Sequence, residues 1–214
     1  TQRLRSGQSL SQVTAAFASA FGIAHAVLPM TDDPVSTQVL TADGELEFQH
    51  YFVRERCAPA VTGFRFAGIE DARLNPAVEA CLESPELEGI VLCPSNPFVS
   101  LDPILALPGL RERLQSCRAP VIAVSPVVGG AAIKGPTVKM MAELSVPISA
   151  AWVADHYRDF LDGFVLDTVD EKLAPEIESM GIRVTATNTV MVTLEDRIAL
   201  ARHCLQMMES PRGG

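Results

Sequence analysis

Four strand-length segments, at 89–93, 120–124, 163–166 and 182–186, near-continuously apolar except for Arg183 and Thr185 in the last, alternate along the chain with segments of helical spacing. The run within Ala119-Pro-Val-Ile-Ala-Val124 is apolar throughout and does not alternate with polar residues. A strand of that kind must be covered on both faces, which is the habit of parallel sheets carrying helices on each side. Repeated strand–helix units require the crossovers that parallel strands need. The expected fold class is therefore α/β, a Rossmann-like, mostly parallel sheet covered by helices. A β-hairpin excursion precedes it.

The remaining expectations follow from local signals. Ser9 with Gln12 makes a capping box for a helix carrying Leu10, Val13, Phe17 and Ala20, with Gly22 as its stop. Ala24 to Leu28 reads as a buried strand. Val35 to Thr41 alternates, Asp43-Gly44 is a type I′ turn signal, and Leu46, Phe48, His50 and Phe52 alternate on the return. Phe64 to Phe66 is a further short strand, and Asn75-Pro76 starts a helix over 76–83. Later helices are expected near 108–117, 137–144, 153–161, 171–179 and 194–208, with another strand near 148–151.

Apolar residues make up 48% of the 214-residue chain, enough for a large core without disulfide or metal staples. The net charge of −9 disfavours a nucleic-acid partner and means that an anionic substrate needs a local remedy. No apolar run reaches the roughly 20 residues that span a bilayer, so no membrane partner is expected. Five cysteines, an odd number with no Cys-x-x-Cys, fit free thiols in a reducing cytoplasm. There is no His-Glu-x-x-His, Gly-x-Ser-x-Gly, Walker A or G-x-G-x-x-G sequence.

Ligands of open α/β sheets bind beyond the carboxyl ends of the strands, which directs attention to the loops 29–34, 94–103, 125–136 and 167–170. In Pro94-Ser-Asn-Pro97 two prolines fix the path around Ser95 and Asn96, presenting a hydroxyl and an amide suited to phosphate, ribose or a base edge. The same two groups could equally satisfy a tight turn. In Ser125-Pro-Val-Val-Gly-Gly130 and Lys134-Gly-Pro136, the glycines allow close backbone approach and Lys134 is a cation for phosphate. Asp32 and Asp33 could hold Mg²⁺ through oxygens, although a backbone-capping turn is the commoner use of such a pair. His156, beside Asp155 and Tyr157, is the histidine of most interest.

Six segments in register carry a resemblance over nearly the whole chain. They are Leu28-Pro-Met-Thr-Asp-Asp-Pro-Val35, Phe48-Gln-His-Tyr-Phe-Val53, Pro94-Ser-Asn-Pro97, Asp102-Pro-Ile-Leu-Ala-Leu-Pro-Gly-Leu-Arg111, Val124-Ser-Pro-Val-Val-Gly-Gly130 and Lys134-Gly-Pro136. Together they resemble the 2-phospho-L-lactate transferase family of coenzyme F-420 biosynthesis. The resemblance implies a cytoplasmic, Mg²⁺-dependent enzyme, with a homodimer as the family-level expectation. A phosphorylated small acid (2-phospholactate, phosphoenolpyruvate or phosphoglycerate) would pass from a guanosine diphosphate donor to the ribityl hydroxyl of the 5-deazaflavin FO, releasing GMP. Ser95, Asn96, Ser125, Gly129, Gly130, Lys134 and Gly135 would then line the donor path. Asp32 and Asp33 would face the reacting centre as catalytic or metal-binding groups.

Two departures stand beside the resemblance. The family's Gly-rich strand–turn–helix opening is absent, so residues 1–214 are expected to be a single α/β domain forming the C-terminal two thirds of a larger transferase domain. Asp102 stands where many members carry glycine. The alternatives are a non-catalytic, nucleotide-sugar-binding regulator of the sister family, an inactive remnant, and a dehydrogenase, the last opposed by the missing dinucleotide fingerprint.

Overall fold

The structure is a computed structural model and describes residues 2–133 and 135–209. Strands β4 (Ile90–Leu92), β5 (Val121–Val124), β8 (Gly163–Asp167) and β9 (Arg183–Thr187) form a parallel sheet in the order β4-β5-β8-β9. Every residue of β5 and β8 is buried. Their side chains alternate between two cores, as successive residues of a strand must. Val121, Ala123, Phe164 and Leu166 enter the larger core. Ile122, Val124 and Val165 enter a smaller one with Leu200, Cys204 and Met207 of the terminal helix α9 (Leu194–Glu209). The α/β expectation therefore holds, with helices on both faces.

The crossovers supply the larger core's other wall. Between β4 and β5 lie α4 (Asp102–Leu105) and α5 (Leu110–Ser116). Between β5 and β8 lie a small hairpin, β6 (Val127–Val128) with β7 (Ala131–Ala132), then α6 (Thr137–Glu143) and α7 (Ala150–His156). Between β8 and β9 lie a 3₁₀ turn at Thr168–Leu173 and α8 (Ala174–Glu178). Met140 and Met141 on α6 are fully buried, as core filler should be.

A second, antiparallel sheet has the order β2-β1-β3, built from β1 (Ser36–Thr41), β2 (Gly44–Glu47) and β3 (Val61–Ala67). An aromatic ladder docks it on the first: Phe64 stacks on Phe98 with centroids 5.6 Å apart, Phe98 meets Trp152 at 5.6 Å, and Trp152 stacks on His156 at 5.0 Å. His156 Nε2 lies 2.8 Å from Asp102 Oδ1, which joins α7 to α4.

Helix starts follow their caps. Ser9 and Gln12 form the expected capping box of α2 (Leu10–Ala20), and Asn75 caps α3 (Pro76–Glu83) by accepting from the Ala77 N–H at 2.9 Å. Helix α1 (Gln2–Arg5) precedes them.

Four expectations require correction. Residues 24–28 are exposed and form no strand, because no neighbouring strand offers them a ladder. Ala42 and Asp43, not Asp43-Gly44, make the hairpin loop; Thr41 pairs with Gly44, whose φ of +124° opens β2. The return strand stops at Glu47, and His50–Arg54 is a π-helical turn. Phe48 and Phe52 stack at 5.5 Å across it, and a four-residue spacing suits a helix face as well as a strand face. The strand near 148–151 is the start of α7, where Ser149 Oγ accepts from the Ala151 N–H at 3.1 Å.

All five cysteines are free. Among the described residues no helix is long and apolar enough to cross a membrane.

At Gly163, α9 lies close against the sheet. A Cβ there would lie 2.7 Å from both Ile122 Cδ1 and Met207 Cε. We expect Gly163→Val to destabilise the fold by about 1–3 kcal/mol through overpacking, read as a lowered urea midpoint with an unchanged slope.

Candidate functional site at the strand carboxyl ends

A cleft of about 540 Å³ opens beyond the carboxyl ends of the parallel strands. Pro94, Asn96, Val99 and Ser100 line it after β4; Ser125, Pro126, Val128, Ile133 and Gly135 line it after β5. Thr189, Val190 and Met191, which follow β9, form the opposite wall. The turn after β2 supplies a roof of Phe48, Gln49, Phe52 and Val53, and Pro136 and Thr137 at the start of α6 complete the wall. The described lining is mostly apolar and carries no charged side chain. Such a cleft suits a planar ring, with a few polar groups to orient it.

The roof is tied to α6. Tyr51 is fully buried, and Lys139 Nζ donates to its hydroxyl at 3.4 Å and to the Pro59 carbonyl at 3.0 Å. Lys139 also pairs with Glu143, whose Oε2 accepts from the Val61 N–H at 3.0 Å. Burial opposes the Lys139 charge, but the bonds to Glu143 and Tyr51 outweigh it and hold its pKa above the ordinary lysine value. Burial pushes the Tyr51 phenol and the Cys57 thiol up.

The donor-loop residues are placed unequally. Asn96 lines the cleft, but its Oδ1 is committed to the N–H groups of Phe98 at 2.9 Å and Val99 at 3.3 Å, capping the turn at Pro97–Leu101. Its Nδ2 lies 3.3 Å from Met140 Sδ and has a second hydrogen to offer a ligand. Ser95 is half-buried and does not line the cleft. Ser125 lines it while its Oγ donates to the Val127 carbonyl at 2.7 Å. Gly135 lines it at a φ of +76°. Gly129 and Gly130 sit at the hairpin behind it. Lys134 lies outside the described residues.

Asp32 and Asp33 are elsewhere. They border a separate depression of about 580 Å³ with Arg73, Glu79 and Arg113. Asp32 Oδ1 accepts from the Ser11 N–H at 2.6 Å, and Asp33 Oδ2 from the Arg73 N–H at 2.8 Å. Both carboxylates thus accept backbone N–H groups from distant segments, while the local turn is capped by Thr31, whose Oγ1 accepts from the Asp33 N–H at 3.0 Å. Among the described residues, no three His, Cys, Asp or Glu side chains cluster where they could hold a metal ion. Asp32 and Asp33 alone, with their oxygens on backbone N–H groups, do not make the Mg²⁺ site that the resemblance implies, and no chemical step is derived through it.

Two buried carboxylates behind the cleft have no counterpart among the sequence candidates. Asp167, only 4% exposed, ends β8. Its Oδ1 accepts from the Val169 N–H at 3.2 Å and the Thr168 hydroxyl at 3.3 Å; its Oδ2 accepts from the Thr189 N–H at 2.9 Å and the Thr189 hydroxyl at 3.2 Å. Asp170 Oδ2 accepts from the Gly129 N–H at 2.7 Å. The signal available in the sequence was their place in the 167–170 loop, at a strand carboxyl end. The roof residues lie within Phe48-Gln-His-Tyr-Phe-Val53, a segment conspicuous in the sequence but without an assigned role.

The family model described as 2-phospho-L-lactate transferase CofD matches residues 1–199. The chain belongs to the 2-phospho-L-lactate transferase CofD family. It is 38% identical over 203 residues to the 2-phospho-L-lactate transferase of Methanosarcina mazei, covering 95% of this chain and 66% of that protein. It is also 38% identical over 217 residues to the phosphoenolpyruvate transferase of Streptomyces griseus, covering 99% of this chain and 68% of that protein. The chain therefore spans about two thirds of the length of these curated relatives. A crystal structure of a UPF0052 family member from Bacillus halodurans superposes with a TM-score of 0.56 at 10% identity, over 90% of this chain and 66% of that one. That likeness is one of fold alone.

Burial pushes the Asp167 carboxyl up, but the N–H groups of Thr189 and Val169, with the hydroxyls of Thr189 and Thr168, more than offset it and leave its pKa below the ordinary value. A lowered folded pKa contributes stability above the unfolded carboxylate value near 4, and this is lost as pH falls through the lower folded value. We expect Asp167→Asn to lower the urea midpoint at neutral pH, and the gap to the parent to narrow below about pH 4.

Proposed function

We propose that the full-length protein transfers a phosphorylated small acid from its guanosine diphosphate conjugate to FO. The ribityl hydroxyl oxygen of FO attacks the acid-side phosphorus. The bond from that phosphorus to the bridging oxygen breaks, GMP leaves with the electron pair, and the hydroxyl proton is released. A phosphodiester-linked deazaflavin results. The observation that carries this reading is the placement of the 94–100 and 125–136 loops around one apolar cleft at the strand carboxyl ends, in a chain of this transferase family.

The cleft's chemistry suits the proposal. Apolar walls would accept the deazaflavin or guanine ring, with the Asn96 amide and the Thr137 hydroxyl nearby to orient it. Lys134 would then meet the diphosphate, offsetting charge in an acidic protein. Catalysis on this reading is positioning together with electrostatic stabilisation of the leaving phosphate. The relatives' names cover both phospholactate and phosphoenolpyruvate transfer, so the acid is the open variable of the proposal. Mg²⁺ dependence belongs to it too and is tested by chelation.

The test is a product mass. The full-length protein is incubated with FO, Mg²⁺, GTP, a guanylyltransferase and each of the three phosphorylated acids in turn. One acid should yield a new deazaflavin mass, which identifies the donor. No new mass from any acid, with folded protein, would overturn the transferase reading. In the active reaction, Lys134→Ala should raise the donor KM about tenfold or more, the worth of a lost charge-assisted hydrogen bond; an unchanged KM removes Lys134 from the donor path.

A further inference from the structure

The cleft has two walls that no strand pairing joins directly: the 125–133 loop after β5 and the 188–191 loop after β9. Between β5 and β9 in the sheet runs β8, which ends in Asp167 and continues into the 3₁₀ turn bearing Asp170. These two carboxylates face different walls. Asp167 takes the N–H and hydroxyl of Thr189, itself only 6% exposed and part of the cleft lining. Asp170 takes the N–H of Gly129, at the apex of the β6–β7 hairpin.

The chemistry of the bonds makes them more than ordinary turn contacts. Both acids are buried, Asp170 at 6% exposure, and a buried carboxylate is retained only where donors satisfy it. Asp167 has four such donors, two of them from the Thr189 wall and two from its own turn. Charge-assisted bonds of this kind are about twice as strong as neutral ones. Gly129 needs its left-handed φ of +59° to aim its N–H at Asp170, so the hairpin's backbone shape and the carboxylate depend on each other. The resemblance puts Gly129 along the donor path, yet the protein's own carboxylate already holds its N–H.

We infer that Asp167 and Asp170 are positioning residues: each anchors one wall of the cleft to the end of β8, and together they set the width into which the ring-bearing substrate fits. They touch no reacting atom. Gly129 is accordingly a structural element of the wall and not a phosphate donor group. The effect on substrate rests on the transferase reading, but the anchoring itself does not.

Amide hydrogen exchange on the full-length protein separates the two. In Asp170→Ala, exchange across 126–132 should quicken about tenfold or more while 188–191 stays protected. In Asp170→Asn, whose side-chain oxygen can still accept from Gly129, protection should return. In Asp167→Asn an NH₂ replaces one acceptor, and exchange should quicken at 188–191. If that variant fails to fold, Thr189→Val removes only the hydroxyl and should show the same local effect, smaller. FO and guanosine diphosphate are titrated against the same proteins, and the anchoring variants, folded at the assay temperature, should bind FO about tenfold more weakly. Exchange that rises equally throughout the chain, or nowhere, would overturn the inference, as would unaltered FO affinity in variants whose walls have loosened. If the parent protein binds neither probe, the transferase reading fails, and the exchange pattern alone decides the anchoring.

Discussion

Burial of β5 and β8 on both faces is the constraint from which the rest of the molecule follows. Their nine residues are all buried, so helices must lie above and below the sheet, and the connections must be crossovers. One face is closed by α9 against Ile122, Val124 and Val165. The other carries the larger core, with Met140, Met141, Tyr157 and Ile177 meeting Val121, Ala123, Phe164 and Leu166. Crossovers of this kind leave loops at the carboxyl ends of the strands, and the cleft is made from those loops.

The cleft shows how an acidic protein keeps charge out of an apolar site. Its described walls are neutral, and the carboxylates behind them, Asp167 and Asp170, are turned into the scaffold and held by its donors. The roof is held by Lys139, whose charge is shared among Tyr51, the Pro59 carbonyl and Glu143. Polar and ionic groups thus serve the cleft mainly by orienting backbone segments. Asp32 and Asp33 fall in the same category, on a different depression.

Local signals with one physical meaning are legible in the chain itself. Ser9 with Gln12 and Asn75 with Pro76 cap their helices as expected, since a side-chain acceptor satisfies a free N–H whatever the tertiary surroundings. Signals with two meanings mislead. Phe48 and Phe52 are spaced for either periodicity, and burial of Tyr51 beside Lys139 selects the helical turn. Ala24–Leu28 has strand composition but no partner strand, and β propensity has little force without one. Ser149 falls within a strand-like run, yet its hydroxyl is an N-cap acceptor, and that chemistry wins.

The sequence by itself determined the fold class, the order of its main strands and helices, and the two loops that carry most of the cleft. Those properties reside in hydrophobic period, capping residues and glycine–proline punctuation, all of which act over a few residues. The tertiary structure alone decided which loops share a cavity. It separated Asp32 and Asp33 from Asn96 and Ser125, brought the Phe48–Val53 segment and Thr189–Met191 to the cleft, and committed Asp167 and Asp170 to its walls. Those outcomes depend on strand order and on the direction each buried donor points, neither of which is a local property of the chain.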